Sequence, residues 1–132
     1  KFAEAWGVAT LPTQIGLTIP EIFKGIETDE IHGLWIMGEN PVVSDPDASH
    51  VKKALERIDF LLVQDIFMTP TAKLADVVLP GASFAEKDGT FVNTERRVTR
   101  VRKAIDPVGE SKPDWEIIQE ISSMCIQTLV SK

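Results

Sequence analysis

The chain has 132 residues, of which 43% are hydrophobic and 26% are charged. This length predicts one domain, and the ordinary globular composition argues against disordered, collagen-like and coiled-coil structures. The formal net charge of −6 argues against nonspecific binding to nucleic acid, because such binding needs a cationic surface. With Cys125 as its one cysteine, the chain by itself cannot form an internal disulfide, a cysteine-rich zinc site or an iron-sulfur cluster.

The beginning of the chain carries few structural signals. Residues 1–19 mix Gly7, Pro12 and Gly16 with scattered apolar positions, which predicts a connector. The chain starts at Lys1 and shows neither a signal-peptide pattern nor an apolar run long enough to cross a membrane. We therefore expect a soluble fragment or processed chain that is cytoplasmic and does not insert into a membrane.

A parallel βαβ unit is predicted from Pro20 onwards. Pro20 opens a short helix that ends near Glu27, and the apolar run 33–38, bounded by glycines, is typical of a strand buried on both faces. Ser49 is a predicted N-cap for an amphipathic helix, and residues 60–63 form a second strand. The connection of roughly two dozen residues between the strands favours parallel pairing over a hairpin.

The second half of the chain continues this pattern. Residues 77–79 predict a third strand, residues 69–74 one or two helical turns, and residues 90–101 extended structure such as an edge strand. Apolar residues at three- and four-residue steps predict a helix from about Lys112 to Leu129. We therefore predict a Rossmann-like, three-layer α/β domain with a mostly parallel central sheet over residues 20–132.

Polar residues follow the first two predicted strands, at Asn40 and at Gln64-Asp65. Ligands bind open parallel sheets outside the carboxyl ends of the strands, so both groups could line one crevice. Asp65 could accept two N–H bonds from a guanine edge, and the two amides could donate to and accept from neighbouring groups. The alternative is that Asn40 caps a turn and Asp65 caps a helix, which are common roles for such residues in loops.

Five sequence blocks, in this order, resemble the molybdopterin oxidoreductase family. They look most like the alpha (catalytic) subunit of formate dehydrogenase and span most of residues 33–121. The blocks are MGENP at 37–41, VQDIFMT at 63–69, TAKLADVVLP at 71–80, FAEKDGTFVNTERRV at 84–98 and KPDWEII at 112–118.

The resemblance implies an internal fragment of the catalytic subunit of a molybdenum- or tungsten-dependent formate dehydrogenase, which converts formate to carbon dioxide and electrons. In this family the metal is held between two molybdopterin guanine dinucleotides, and the third domain contributes to binding one of them. An iron-sulfur cluster belongs elsewhere in the full-length subunit. The implied partners are the other domains of that subunit and electron-transfer subunits. Because the metal ligand lies before this fragment, we expect the fragment alone to be inactive.

The resemblance also implies cofactor contacts at Asn40, Gln64, Asp65, Lys87 and Asp114. Lys87 suits a pyrophosphate or pterin oxygen, whereas Asp114, at a predicted helix start, has the alternative role of a cap. These are binding residues, and neither a catalytic residue nor a metal ligand is assigned within the chain.

The remaining chemically distinctive residues are expected to have ordinary roles. Cys125 lies on the apolar stripe of the last helix and is predicted to be buried in packing. His32 and His50 lack a second ligand at metal-binding spacing, which favours surface or capping roles. The basic stretch 96–103 is expected to be a solvated face, with contact to cofactor phosphates as the alternative.

Three other functions remain open on the sequence. A nitrate reductase type of molybdopterin oxidoreductase shares much of the pattern. So does the large subunit of NADH dehydrogenase, in which such a domain can be structural and lack a cofactor, although intact Asn40, Asp65 and Lys87 count against that. An independent nucleotide-binding module would need a glycine-rich phosphate loop after the first strand, which residues 38–41 do not supply.

Overall fold

The computed structural model describes residues 1–130, with side chains described as far as Ile126. The helices and strands, in chain order, are α1 Phe2–Ala5, α2 Ile19–Glu27, β1 Gly33–Met37, α3 Pro41–Ser44, α4 Ala48–Leu55, β2 Phe60–Asp65, β3 Val77–Pro80, β4 Gly89–Val92, β5 Val98–Val101 and α5 Asp114–Val130. Single 3₁₀ turns lie at Ala72–Leu74 and Phe84–Glu86.

The central sheet has the order β1-β2-β3, and both pairings are parallel. Gly33 lies opposite Phe60, and Val63 lies between Ile36 and Val78. The crossover from β1 to β2 runs through α3 and α4. This confirms the predicted α/β class and the parallel pairing of the first two strands.

The hydrophobic core lies on one face of this sheet. Alternate residues of a strand point to opposite faces, so Ile36, Leu61 and Val63 share a face. The helices α2 and α4 pack their apolar sides onto it, and all of these residues expose less than a tenth of their surface. The buried residues of the core are Phe23, Ile26, Ile36, Val51, Ala54, Leu55, Leu61, Val63 and Ala72.

The prediction that β1 is buried on both faces is wrong. Trp35 and Met37 point away from the core and remain 37% and 40% exposed. The reason is that α2 and α4 both cover the same face of the sheet. On the other face, α5 begins beside β3, where Ile117 is buried and lies by the same shallow groove as Leu79.

Three helices start one or two residues away from their predicted positions. In α4 the reason is the identity of the N-cap residue. Its N-cap is Asp47, not Ser49 as predicted, because an Asp47 carboxylate oxygen accepts a hydrogen bond from the His50 backbone N–H at 3.1 Å. Helix α2 starts at Ile19, and its N-cap Thr18 forms a reciprocal capping box with Glu21.

Helix α5 begins at Asp114, two residues after the predicted start, because the backbone of Lys112 is used elsewhere. The Lys112 N–H donates to the Pro80 carbonyl at 3.1 Å, and the Lys112 carbonyl accepts from the Ala82 N–H at 2.8 Å. Lys112 therefore continues the sheet beyond β3 and brings the start of α5 to the carboxyl edge of the strands.

The predicted extended stretch 90–101 contains two strands, β4 and β5, but they do not form an edge strand of the main sheet. They fold into a separate antiparallel hairpin in which Phe91 lies opposite Thr99. Just after β3, Gly81 already forms a parallel bridge with Lys112, so Lys112 occupies the place where an edge strand would pair. The backbone N–H and C=O groups of β4 and β5 instead form hydrogen bonds with each other.

Two further findings concern the ends of the chain. Residues 1–18 have no regular structure except α1. The prediction that Cys125 is buried is wrong, because the structure places Cys125 on an exposed side of α5. Within residues 1–130, no helix is long and apolar enough to cross a membrane.

We expect Leu61→Ala to lower the free energy of unfolding by about 2 to 5 kcal/mol, because Leu61 is 1% exposed at the centre of the core and truncation leaves a cavity. Urea unfolding followed by circular dichroism measures this change.

The matched control is Leu17→Ala, which makes the same chemical change at a residue that is 57% exposed in the connector. Its effect should stay within about 0.5 kcal/mol. Equal losses for the two variants would contradict the placement of the core.

Candidate functional site

A cleft of about 550 Å³ opens at the carboxyl edge of the parallel strands. It is lined by the ends of β1 and β2, by the turn after β3, and by the start of α5. Four of the five predicted site residues meet here, namely Gln64, Asp65, Lys87 and Asp114. Parallel strands place their carboxyl ends at one edge, which explains how residues 50 positions apart in sequence come together.

The Asp114 carboxylate joins two of these residues. One of its oxygens accepts a hydrogen bond from the Gln64 side-chain amide at 2.7 Å. The other oxygen forms an ion pair with the Lys87 ammonium group. Asp114 is also the first residue of α5, where a carboxylate interacts favourably with the helix dipole. The alternative role left open by the sequence was a helix cap; Asp114 is instead the first helical residue, and its carboxylate lies in the cleft.

The pKa of the Asp114 carboxyl group reflects these contacts. Partial burial acts to raise the pKa, but the hydrogen bonds from Lys87 and Gln64 and the charge of Lys87 outweigh burial. The net result is a pKa below the ordinary value, so Asp114 is ionised at neutral pH and the ion pair is intact.

Asp65 lies at the last position of β2 and is half-buried. One carboxylate oxygen accepts a hydrogen bond from the Phe67 backbone N–H at 3.2 Å, which forms a local turn of the kind that the sequence left open as the alternative role. The Asp65 backbone carbonyl accepts from the Gly81 N–H at 3.0 Å and so ties β2 to the turn after β3. The second carboxylate oxygen makes no hydrogen bond within the described residues.

Asn40 lies at the same edge of the sheet but does not line this cleft. Its side-chain oxygen accepts hydrogen bonds from the Thr71 hydroxyl at 2.7 Å and from the Thr71 backbone N–H at 3.3 Å. Thr71 is fully buried, and its hydroxyl oxygen also accepts from the Val42 N–H. The structure thus gives Asn40 a structural contact that joins the loop after β1 to the loop after β2.

The position of Lys87 is set by the residue before it. Glu86 is 6% exposed, and its carboxylate accepts hydrogen bonds from the backbone N–H groups of Ser83 at 2.6 Å and Val108 at 2.8 Å. Bonds to the Ser83 side chain and backbone, followed by Val108, lower the pKa of Glu86. This buried carboxylate holds the 3₁₀ turn in place and directs Lys87 to Asp114.

Aromatic residues at the cleft were not identified as site residues from the sequence. Phe67, Phe84 and Phe91 all line it, and they are 72%, 66% and 46% exposed. Phe67 lies just after the end of β2, and Phe84 and Phe91 lie three and two residues after Gly81 and Gly89; these positions are the sequence signal that could have indicated them. Such rings provide apolar faces on which a planar group can stack.

The remaining candidates lie away from the cleft. His32 contacts Asp59 at 3.0 Å, and His50 contacts Glu27 at 3.2 Å, both at the surface as expected. The arginines of the basic stretch are exposed and do not line the cleft. Among the residues that the structure describes, no three His, Cys, Asp or Glu side chains are grouped so as to hold a metal ion.

A second groove, of about 570 Å³, lies between α2, β1 and α3. Its lining is mostly apolar, and its charged groups are the carboxylates of Glu39 and Asp45. The cleft at the carboxyl edge is therefore the better candidate site, because it combines an ion pair, a carboxylate, an amide and aromatic rings.

The lowered pKa of Asp114 predicts a pH-dependent contribution to stability. The folded pKa lies below the ordinary value of 3.8, so the contribution is fully present above that value and is lost as the pH falls through the folded pKa. Lys87→Met should raise the pKa of Asp114 by removing its charged partner, and NMR titration of the carboxyl carbon measures this. An identical titration in the wild-type chain and in Lys87→Met would contradict the ion pair.

Comparison with known proteins places this site in a family context. A family model described as molybdopterin oxidoreductase matches residues 2–124. The chain is 59% identical over 121 residues to the F420-dependent formate dehydrogenase subunit alpha of Methanocaldococcus jannaschii, with 92% of this chain and 18% of that protein covered. It is 48% identical over 122 residues to a putative formate dehydrogenase of Staphylococcus haemolyticus, with 92% of this chain and 12% of that protein covered.

A solved structure shares the fold. Acetylene hydratase from Pelobacter acetylenicus matches with a TM-score of 0.69 and 27% identity over 77% of this chain and 15% of its own chain. The chain therefore spans less than a fifth of the length of the proteins it resembles. The family model covers nearly the whole chain, and on that ground the chain belongs to the molybdopterin oxidoreductase family.

Proposed function

We propose that the chain is an internal part of the catalytic subunit of a molybdenum- or tungsten-dependent formate dehydrogenase. Its cleft would hold part of a bis(molybdopterin guanine dinucleotide) cofactor. The observation that carries this proposal is the meeting of Gln64, Asp65, Lys87 and Asp114 around one cleft, in a chain of the molybdopterin oxidoreductase family. We infer formate as the substrate because the relatives are named formate dehydrogenases.

The residues of the cleft fit such a group. The side-chain oxygen of Gln64 is buried and has no hydrogen-bond partner within the described structure, a state that costs about 1 to 3 kcal/mol unless a ligand satisfies it. The turn at Gly81 passes close to the site, because a Cβ atom there would lie 3.4 Å from an Asp114 carboxylate oxygen. Hydrogen-bond acceptors next to exposed aromatic rings suit a planar base such as guanine.

The role of this chain would be binding and orientation. The cofactor's metal centre supplies the two-electron redox chemistry, and the protein positions the cofactor. Asp65 would accept N–H bonds from the guanine edge, and the phenylalanines would cover its faces. Lys87 uses one donor for Asp114 and has further N–H donors for a pterin oxygen.

Asn40 takes a different part in this proposal. Its side-chain oxygen is already used by Thr71. The amide nitrogen, which makes no hydrogen bond within the described residues, is the group that could reach the cofactor from the loop after β1. We therefore propose that Asn40 contacts the cofactor through its amide nitrogen.

In the full-length subunit, formate would lose a proton and an electron pair to become carbon dioxide. The electrons would leave through an iron-sulfur cluster elsewhere in the subunit to electron-transfer partners. Because the chain spans only 18% of its formate dehydrogenase relative, all of this activity belongs to the longer protein. Acetylene hydratase shares the fold of this region, so the fold of this region does not by itself decide the reaction.

Asp65→Ala should reduce the guanine nucleotide content of the full-length subunit about 10- to 100-fold when cofactor is limiting. The reason is the loss of a charge-assisted hydrogen bond worth about 1.5 to 3 kcal/mol. Nucleotide released by acid is measured by chromatography, and metal by mass spectrometry, both normalised to folded protein.

Two controls accompany this measurement. Asp106→Ala removes a carboxylate that is 91% exposed and lies outside the cleft, so it should leave nucleotide content unchanged. Cys125→Ser should leave metal content unchanged, because the thiol is exposed on α5. Full cofactor retention in Asp65→Ala together with metal loss in Cys125→Ser would overturn the assignment of the site.

A further inference from the structure

The β4–β5 hairpin and the two residues after it carry a concentration of positive charge. Residues 89–103, called the basic hairpin below, contain five of the chain's 14 lysines and arginines but one of its 20 aspartates and glutamates. The whole chain has a formal net charge of −6, so the basic hairpin is a cationic patch on an otherwise acidic protein. Its cationic residues are Arg96, Arg97, Arg100, Arg102 and Lys103.

The four arginines of the basic hairpin have no ionic partner among the described residues. Lys103 pairs with Asp106 at 2.7 Å, whereas none of the arginines takes part in an ion pair within this part of the chain. Their guanidinium groups also make no hydrogen bond there, and all four residues are exposed. Their charges are therefore available to a partner from outside.

The basic hairpin has two faces, and its pairing shows which of them points outward. Val92 lies opposite Val98, and Thr90 lies opposite Arg100, so these four side chains share one face. Phe91 belongs to the other face and lines the cleft. The face with Arg100, called the outward face, therefore points away from the cleft, and both of its valines are 65% exposed.

One arginine occupies a backbone position that favours glycine. Arg96 has a φ angle of 62°, in the left-handed region that residues with a Cβ atom rarely adopt. Asn93 closes this turn by accepting the Arg96 backbone N–H at 2.9 Å and the Arg97 backbone N–H at 3.0 Å. No hydrogen bond or ion pair of the Arg96 side chain within the described residues offsets this cost. The strain points to a role for the charge in an intermolecular contact.

The composition of the outward face favours a protein over a nucleic acid as the partner. A polyanion would be attracted by the arginines but repelled by the acidic remainder of the chain. The pair Val92 and Val98 offers an apolar centre, which a phosphate backbone does not use. Arginines beside a small apolar centre are typical of protein interfaces.

The same charges favour a separate protein over another part of the same subunit. Burying several guanidinium groups permanently inside a subunit costs desolvation energy. At the rim of a transient interface such groups stay partly solvated, and they speed the encounter with an oppositely charged surface.

We propose that the outward face of the basic hairpin is a docking surface for a separate, acidic protein. Carboxylates of that protein pair with Arg100 and with the arginines that flank β5, while an apolar side chain packs on Val92 and Val98. The face is much smaller than the roughly 20 to 30 residues that a standard interface contributes from each side. The contact is therefore weak, and its rate of formation depends on charge.

The first test identifies the partner by a cross-link in the full-length subunit, which is expressed with an affinity tag in its native cells. Arg100→Lys keeps the positive charge and supplies a primary amine, which a carbodiimide joins to a carboxylate in direct contact. Mass spectrometry should find position 100 joined to an Asp or Glu of a different polypeptide. The matched control is Arg57→Lys, because Arg57 is exposed and precedes β2 at the opposite edge of the sheet. It should give no such product.

The second test measures the association rate of the full-length subunit with the purified cross-linked protein by stopped-flow fluorescence. Arg100→Glu should slow association about tenfold at low salt, and the difference should shrink as salt screens the charges. Arg57→Glu, the same change outside the basic hairpin, should associate as wild type does. Arg100→Lys should also stay close to wild type, which separates loss of charge from loss of folding.

Several results would overturn the proposal. Cross-links from position 100 that reach only carboxylates of the same subunit would assign the face to an internal contact, and a pattern identical to that of Arg57→Lys would leave it without a partner. Nucleic acid that copurifies with the wild-type subunit and is lost in Arg100→Glu would identify the wrong class of partner. Equal association rates for Arg100→Glu and Arg57→Glu would exclude a role for the charge. None of these readouts uses formate oxidation, so they are independent of the proposed function.

Discussion

The contact on which the site depends is the bridge made by the Asp114 carboxylate between Gln64 and Lys87. It joins the end of β2, the turn that follows β3, and the first residue of α5, three segments that are far apart in sequence. Because the carboxylate is ionised and accepts from both sides, it sets the direction of the Gln64 amide and holds the Lys87 ammonium group. Removing Asp114 would leave Gln64 and Lys87 in a partly buried site without this shared partner, whereas removing either of those two would leave the other contact in place.

Two sets of hydrogen bonds outside the cleft position the residues of this bridge. Lys112 continues the sheet past Pro80 and so delivers the start of α5 to the cleft. The buried carboxylate of Glu86 holds the turn before Lys87 to the backbone of Val108. These hydrogen bonds, made by residues that do not line the cleft, fix the positions of Asp114 and Lys87 and so help to keep the shape of the cleft.

The surface outside the cleft is consistent with a part of a longer protein. Trp35 and Met37 expose apolar surface on the open face of the sheet, and Met124 does so on the far half of α5. Parallel sheets are normally covered on both faces. The chain spans 18% of its relative from Methanocaldococcus jannaschii. In a protein of that length, residues outside this region could cover the exposed apolar surface.

The sequence by itself determined the local elements and the edge of the sheet at which the cleft lies. The two apolar runs and the length of the crossover were enough to predict parallel β1 and β2, and this pairing brings the residues after each strand to one edge. What only the tertiary structure decided is which side chains meet there and which face is covered. Asn40 bonds to Thr71 outside the cleft, Cys125 is exposed, and Phe84 lines the cleft, because packing between distant segments follows no periodicity in the sequence.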